Sequence, residues 1–217
     1  MTCAADDLLA KVGSTRFATV LADPPWQFQN RTGKMAPEHK FLARYPTMSL
    51  REICDLPVEA IVDETAHRYR WVPNALLPEG LKAMESWGFS YKSNIFWYKI
   101  RKDGGPDRRG VGFYFRNVTE VLLFGVRGKN ARTLKLGRTQ ENIISSQKRE
   151  HSRKPDEQEA LIERCSNGPR LEMFARGPRL GWLVWGNQSD NYRPTWDTYS
   201  NHAQAHVIPL VAGGRRV

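Results

Sequence analysis

The sequence predicts an α/β protein with a mixed, mostly parallel sheet and helices on both faces. Apolar and β-branched runs recur at 17–22, 68–72, 91–100, 117–126, 170–176 and 182–185, with helical patterns between several of them. Strands alternating with helices build a parallel or mixed sheet. The first run, Phe-Ala-Thr-Val-Leu-Ala, fits an interior parallel strand. The chain's 217 residues are enough for one good-sized core, so a single domain over 1–217 with its core at about 17–190 is expected.

Taken in order, residues 1–16 are a polar lead-in with room for a short helix. The strand at 17–22 runs straight into Asp23-Pro24-Pro25-Trp26. Neither proline has an N–H for the ladder, so the strand must stop there, and each biases the residue before it toward an extended conformation. A carboxylate, a carbonyl and an aromatic ring are thereby presented together at a strand's carboxyl end, where open α/β sheets place their ligands. That set suits methylation of a nucleobase exocyclic amine. The amine lone pair is delocalised into the ring, and two acceptors, the Asp23 carboxylate and the Pro24 carbonyl, can draw its N–H bonds out of plane. Trp26 would stack on a base taken out of its helix, and Asp23 would stabilise the positive charge growing on nitrogen. The plainer alternative is a strand ending in a turn, with Trp26 in the core.

Residues 27–40 read as a loop able to close over substrate. Tyr45 precedes Ser49, which can cap a short helix through residues 51–53. Residues 76–88 form an amphipathic helix, with Pro78 in its first turn, Leu77, Leu81 and Met84 on one face, and Gly88 as its stop. Strands at 91–100 and 117–126 are each followed by a glycine-rich basic loop, at 101–116 and 127–138. Lys154 lies just outside a helix beginning near Pro155 and running to about Arg164, where a fixed cation is placed to bind a carboxylate. The strand at 182–185 leads into Gly186-Asn187-Gln188.

The net charge of +10 and pI near 9.7 point to a polyanionic partner. Residues 99–154 hold fifteen Lys/Arg against five Asp/Glu, while the rest of the chain is balanced, so this quarter carries the whole excess. It is interleaved with Phe113, Tyr114 and Phe115, which favours a nucleic-acid surface over a merely solvated face. Arg108, Arg109, Arg132 and Lys135, in the two basic loops, are the residues expected to track substrate. The three cysteines and five histidines show no zinc-ligand spacing, and no leader or membrane span is evident. A reduced, metal-free cytosolic protein is the expectation.

Asp23-Pro24-Pro25-Trp26, Lys154-Pro155-Asp156-Glu157, Glu172-x-Phe174-x-Arg176 and Gly186-Asn187-Gln188, in that order, resemble the signatures of the MT-A70 family of adenine-N6 methyltransferases. The resemblance implies a Rossmann-like methyltransferase fold in the permuted motif order of the amino-methyltransferases. It implies S-adenosyl-L-methionine as cofactor, with Lys154 on its carboxylate and Arg176, Asn187 and Gln188 on its ribose and adenine. Glu172 would order the pocket from within, Tyr45 would touch the target adenine, and Asp6 or Asp7 would help bind the cofactor adenine. Gly177-Pro178 departs from the eukaryotic pattern, which has a polar pair there. The implied activity is methylation of adenine in DNA or RNA, with DNA favoured through bacterial and phage relatives, by a chain that can form homo- or hetero-oligomers. The alternatives are a non-catalytic nucleic-acid-binding subunit paired with an active partner, and methylation of the cytosine amine.

Overall fold

The computed structural model describes residues 3–27, 46–107, 114–148 and 153–190. Along them run α1 (Ala4–Val12), β1 (Phe17–Ala22), α2 (Leu50–Cys54), α3 (Val58–Ile61), β2 (Val62–Val72), α4 (Leu77–Ser86), β3 (Ser90–Ile100), β4 (Thr119–Arg127), β5 (Ile143–Gln147), α5 (Glu157–Cys165), β6 (Arg170–Met173) and β7 (Leu183–Trp185). The strands form one sheet in the order β5-β3-β4-β2-β1-β6-β7, in which β4 alone runs antiparallel to its neighbours.

Side-chain alternation along β1 divides the core. Val20 and Ala22 face α1 to α4, packing with Leu8, Ile53, Ala83 and Met84, whereas Leu21 faces α5 with Leu161 and Ile162. Helices therefore cover both faces, as expected. Ser49 and Glu52 form a reciprocal capping box that starts α2. The parallel strands all end at one margin of the sheet, here called the carboxyl edge. Being antiparallel, β4 begins at that edge and ends at the opposite, amino edge.

Several local expectations shift. The second strand starts at Val62 rather than 68, and β5 has no counterpart among the expected strands. The buried side of α4 is Gly80, Ala83 and Met84, while Leu77 and Leu81 are each 37% exposed. Gly80 decides this rotation: a Cβ there would lie 2.7 Å from Val72 Cγ2, so the helix rests its glycine on the sheet. β6 ends at Met173, because Phe174 turns out of the ladder with φ 63°.

The alternation of Arg68 and Arg70 with Tyr69 and Trp71 looks like a half-exposed strand, yet both arginines are fully buried. Their guanidinium carbons lie 3.5 and 4.1 Å from the Trp87 ring centroid. Among the described residues the Arg68 guanidinium finds no hydrogen-bond partner, and Arg70 reaches only the Gly80 carbonyl at 3.5 Å. Burial pulls both guanidinium groups below their ordinary range. An unpaired buried charge costs several kcal/mol, and a desolvated cation–π contact returns only about 2 kcal/mol. Arg68→Leu is accordingly expected to stabilise the protein by about 1–2 kcal/mol, read as a higher midpoint in calorimetry. A lower midpoint would show that the stacked guanidinium is a net stabiliser.

Candidate active site

Charged residues from several elements meet at the carboxyl edge. β1 delivers Asp23, whose amide lies 3.4 Å from the Met173 carbonyl at the end of β6. Lys154, on the approach to α5, places its ammonium 3.2 Å from Asp23 Oδ2 and 3.2 Å from Glu120 Oε2. Glu120 is at this edge because β4 begins there, and its other oxygen accepts a 2.8 Å hydrogen bond from Lys99 Nζ near the end of β3. The result is an alternating row of Asp23, Lys154, Glu120 and Lys99. Each ammonium sits over an indole, Lys154 at 5.5 Å from the Trp71 centroid and Lys99 at 4.7 Å from that of Trp97. A further pair, Lys148 Nζ to Asp107 Oδ2 at 2.6 Å, adjoins the row through the Asp107 amide, which donates to the Lys99 carbonyl.

The row sets each group's charge. Burial raises the Asp23 carboxyl above its ordinary value, and the Lys154 ammonium opposes that rise. Burial would raise Glu120 as well, but Lys154 and Lys99 together hold it down to about 2. Lys154 is penalised by burial and yet driven upward by its two carboxylates, whereas burial wins at Lys99 and lowers it. Of the two carboxylates in the row, Asp23 is thus the closer to a change of state, and Lys154 is the cation that opposes its protonation.

The ends of β6 and β7 supply a second group. Arg176 Nε donates to Gln188 Oε1 at 3.0 Å, and the Gly177 amide donates to the Gln188 carbonyl at 3.0 Å. Arg176 also acts electrostatically on Asp23. Gly186 lets the β7 turn press on the strained Phe174, since a Cβ there would be 2.8 Å from Phe174 Cα. Inside, Glu172 is bonded through both oxygens by Arg179, which also pairs with Glu159. Burial, and after it the nearby Asp23, push the Glu172 carboxyl upward. The chain thus places a cation just beyond Gly177-Pro178, where the sequence departs from the pattern it otherwise resembles.

A model of the family described as MT-A70 matches residues 17–188. The chain belongs to the MT-A70 family. Among MT-A70 relatives, an N(6)-adenosine-methyltransferase MT-A70-like protein of Drosophila melanogaster is 32% identical over 182 residues, covering 82% of this chain and 28% of that protein. The human N(6)-adenosine-methyltransferase catalytic subunit METTL3 is 30% identical over 179 residues, covering 81% of this chain and 28% of METTL3. The chain spans about a quarter of the length of these relatives. The type II methyltransferase M.MunI of a Mycoplasma species is 26% identical over 200 residues, covering 83% of this chain and 81% of that enzyme.

Of the residues singled out in this MT-A70 chain, Asp23, Lys154, Glu172, Arg176, Asn187 and Gln188 come to the carboxyl edge, with Asn187 exposed on the turn after β7. Trp26 is a correction. It is 6% exposed, donates its indole N–H to the Trp71 carbonyl at 3.2 Å and packs in the core, so its ring is not offered to a base. The Pro24 carbonyl already accepts the Trp26 amide at 2.8 Å, leaving one lone pair, and the Pro25 carbonyl accepts from Met48. Asp7 receives the Trp185 indole N–H at 2.7 Å, while Asp6 bonds with Cys3. Arg132 and Lys135 follow β4 and lie at the amino edge, away from Asp23, because β4 is antiparallel. Tyr45, Arg108 and Arg109 lie outside the described residues. Glu120 and Lys99 were missed, since a lone acid opening a strand and a lysine closing one carry no local signal. Among the described residues no His/Cys/Asp/Glu group could hold a metal, and no helix is long and apolar enough to cross a membrane.

Proposed function

We propose that this chain transfers a methyl group from S-adenosyl-L-methionine to the exocyclic amine of adenine in nucleic acid, with DNA the preferred polymer. The observation that carries this is the Asp23 carboxylate, held by two prolines and Lys154 at the carboxyl edge of an MT-A70 chain. Asp23 accepts one amine N–H, and the remaining lone pair of Pro24 accepts the other, which frees the nitrogen lone pair for attack. As positive charge grows on nitrogen, the Asp23 carboxylate offsets it.

The cofactor, when bound, supplies a methyl group already activated on a sulfonium. The residues present fit it. Lys154 uses two of its three N–H donors on Asp23 and Glu120 and has one left for a carboxylate. Arg176, Asn187 and Gln188 offer polar groups for a ribose and an adenine on the turns after β6 and β7. With the acid on β1 and the cofactor turns on the last two strands, the order supports the permuted amino-methyltransferase arrangement. DNA is favoured because the match to the type II enzyme covers most of both chains, while the adenosine methyltransferases are matched over about a quarter of their length.

Incubation with labelled adenosylmethionine and separate pools of duplex DNA, single-stranded DNA and RNA, with mass spectrometry of the modified base, tests this. N6-methyladenine in DNA is the expected product. Cofactor binding without transfer to any pool would instead point to a subunit that needs a partner, and absence of cofactor binding would sink the enzymatic reading.

A further inference from the structure

The basic loop at 127–138 does not serve the active site. β4 carries it away from Glu120 along about 25 Å of strand, and β5 returns from it toward the carboxyl edge. Its twelve residues hold five Lys/Arg and no acid. Arg127 is committed to Glu59 at 3.2 Å, and Arg138 bonds the Thr133 carbonyl at 3.4 Å. Lys129, Arg132 and Lys135 are exposed and have no acidic partner among the described residues, although Asp63 and Glu64 open β2 at the same edge.

This loop is held in place. The Ala131 carbonyl lies 3.2 Å from His67 Nε2, a buried ring whose other nitrogen is 2.7 Å from Ser166 Oγ. The Leu134 amide donates to the Cys165 carbonyl at 2.9 Å, and the Arg164 guanidinium donates to the Leu136 carbonyl at 3.3 Å. Gly137 sits so close to the end of α5 that a Cβ would lie 2.6 Å from Cys165 Sγ. Gly128, with φ 79°, passes the Glu64 carbonyl so closely that any side chain would collide with it. The fold thus fixes the backbone between three exposed cations that have no acidic partner among the described residues, at a distance from the chemistry, which lowers the conformational cost of binding a polyanion there. α5 runs from the Lys154 side toward this loop and carries Glu157, Glu159 and Glu163 along the way.

We propose that Lys129, Arg132 and Lys135 form a second phosphate-contact surface on the amino edge, which grips the nucleic-acid backbone distal to the target base. This rests on the nucleic-acid reading above. It predicts a length dependence that a cation at the active site would not produce. A duplex of 8 base pairs centred on Asp23 extends only about 14 Å to either side and cannot reach the loop, whereas one of 40 can.

The test is the triple variant Lys129→Ala, Arg132→Ala, Lys135→Ala, with binding of 8- and 40-base-pair DNA hairpins measured at several salt concentrations. The wild type is expected to bind the longer duplex more tightly and with a steeper salt slope. In the variant, affinity for the long duplex falls by about tenfold or more and its slope flattens by about two to three units, with the short duplex unchanged. Circular dichroism confirms that the variant is folded, and Lys129→Arg, Lys135→Arg, which retains the charges, restores long-duplex binding. Unchanged slopes, or equal losses on both lengths, overturn the second surface while leaving the active-site reading intact. Failure of the wild type to bind either duplex, or RNA hairpins of the same lengths, removes the nucleic-acid reading and this inference with it.

Discussion

Asp23→Asn is expected to reduce methyl transfer by about two to three orders of magnitude, with the fold and cofactor affinity close to wild type. The amide is isosteric and can still accept one N–H from the amine, but it brings no negative charge to offset the charge that builds on nitrogen. Lys154 keeps Glu120 as a partner at 3.2 Å, so the substitution strands no cation. A lost interaction of this kind lowers kcat and kcat/KM together. The wild-type rate should also fall on the acid side at a pH above the ordinary aspartate range, because burial raises Asp23 and only its ionised form can offset the new charge. That limb should vanish in the Asn variant. Single-turnover rates measured from pH 4 to 8 check both points, and an Asn variant within a fewfold of wild type would remove Asp23 from the reaction.

Lys154→Met should have the larger effect on stability. Without the ammonium, Asp23 and Glu120 face each other as partly buried like charges, and only Lys99 remains to balance Glu120. Removing one partner of a buried ion pair costs about 3–5 kcal/mol; here about 3 kcal/mol is expected, since Asp23 can take up a proton and Glu120 keeps Lys99. The sign of the pH effect follows from the same geometry. Lys154 lowers Asp23 in the wild type, so its loss raises Asp23 further and moves the acid limb of any residual activity to higher pH. Glu120, held at about 2 against an unfolded value near 4.5, contributes stability that is present above the unfolded value and lost as pH falls through the folded one; losing a lysine shrinks that contribution. Cofactor affinity should also weaken at least tenfold, because the carboxylate loses its cation. Urea unfolding at pH 7 and pH 4, with calorimetric titration of adenosylmethionine, measures these effects. A variant as stable as wild type with unchanged cofactor affinity would make Lys154 a bystander.

The sequence by itself determined the features that are local in the chain. An apolar run closed by two prolines must end a strand, so Asp23 at a carboxyl end was legible, as were the Ser49 cap and the turns after β6 and β7. The motif spacing identified the family, and with it the residues that the fold gathers at one edge. What only the tertiary structure decided was direction, register and which side of a strand is dry. A polar alternation in β2 conceals two buried arginines because α2 and α4 cover the face that would otherwise be wet. Trp26 turned inward because the end of β2 offers it a carbonyl and a core. One antiparallel strand settled the rest. By beginning at the carboxyl edge β4 brings Glu120 beside Lys154, and by ending at the other edge it carries Arg132 and Lys135 away from the chemistry. Strand direction is set by which neighbours the chain pairs with, and no window of sequence around Glu120 or Arg132 contains that information.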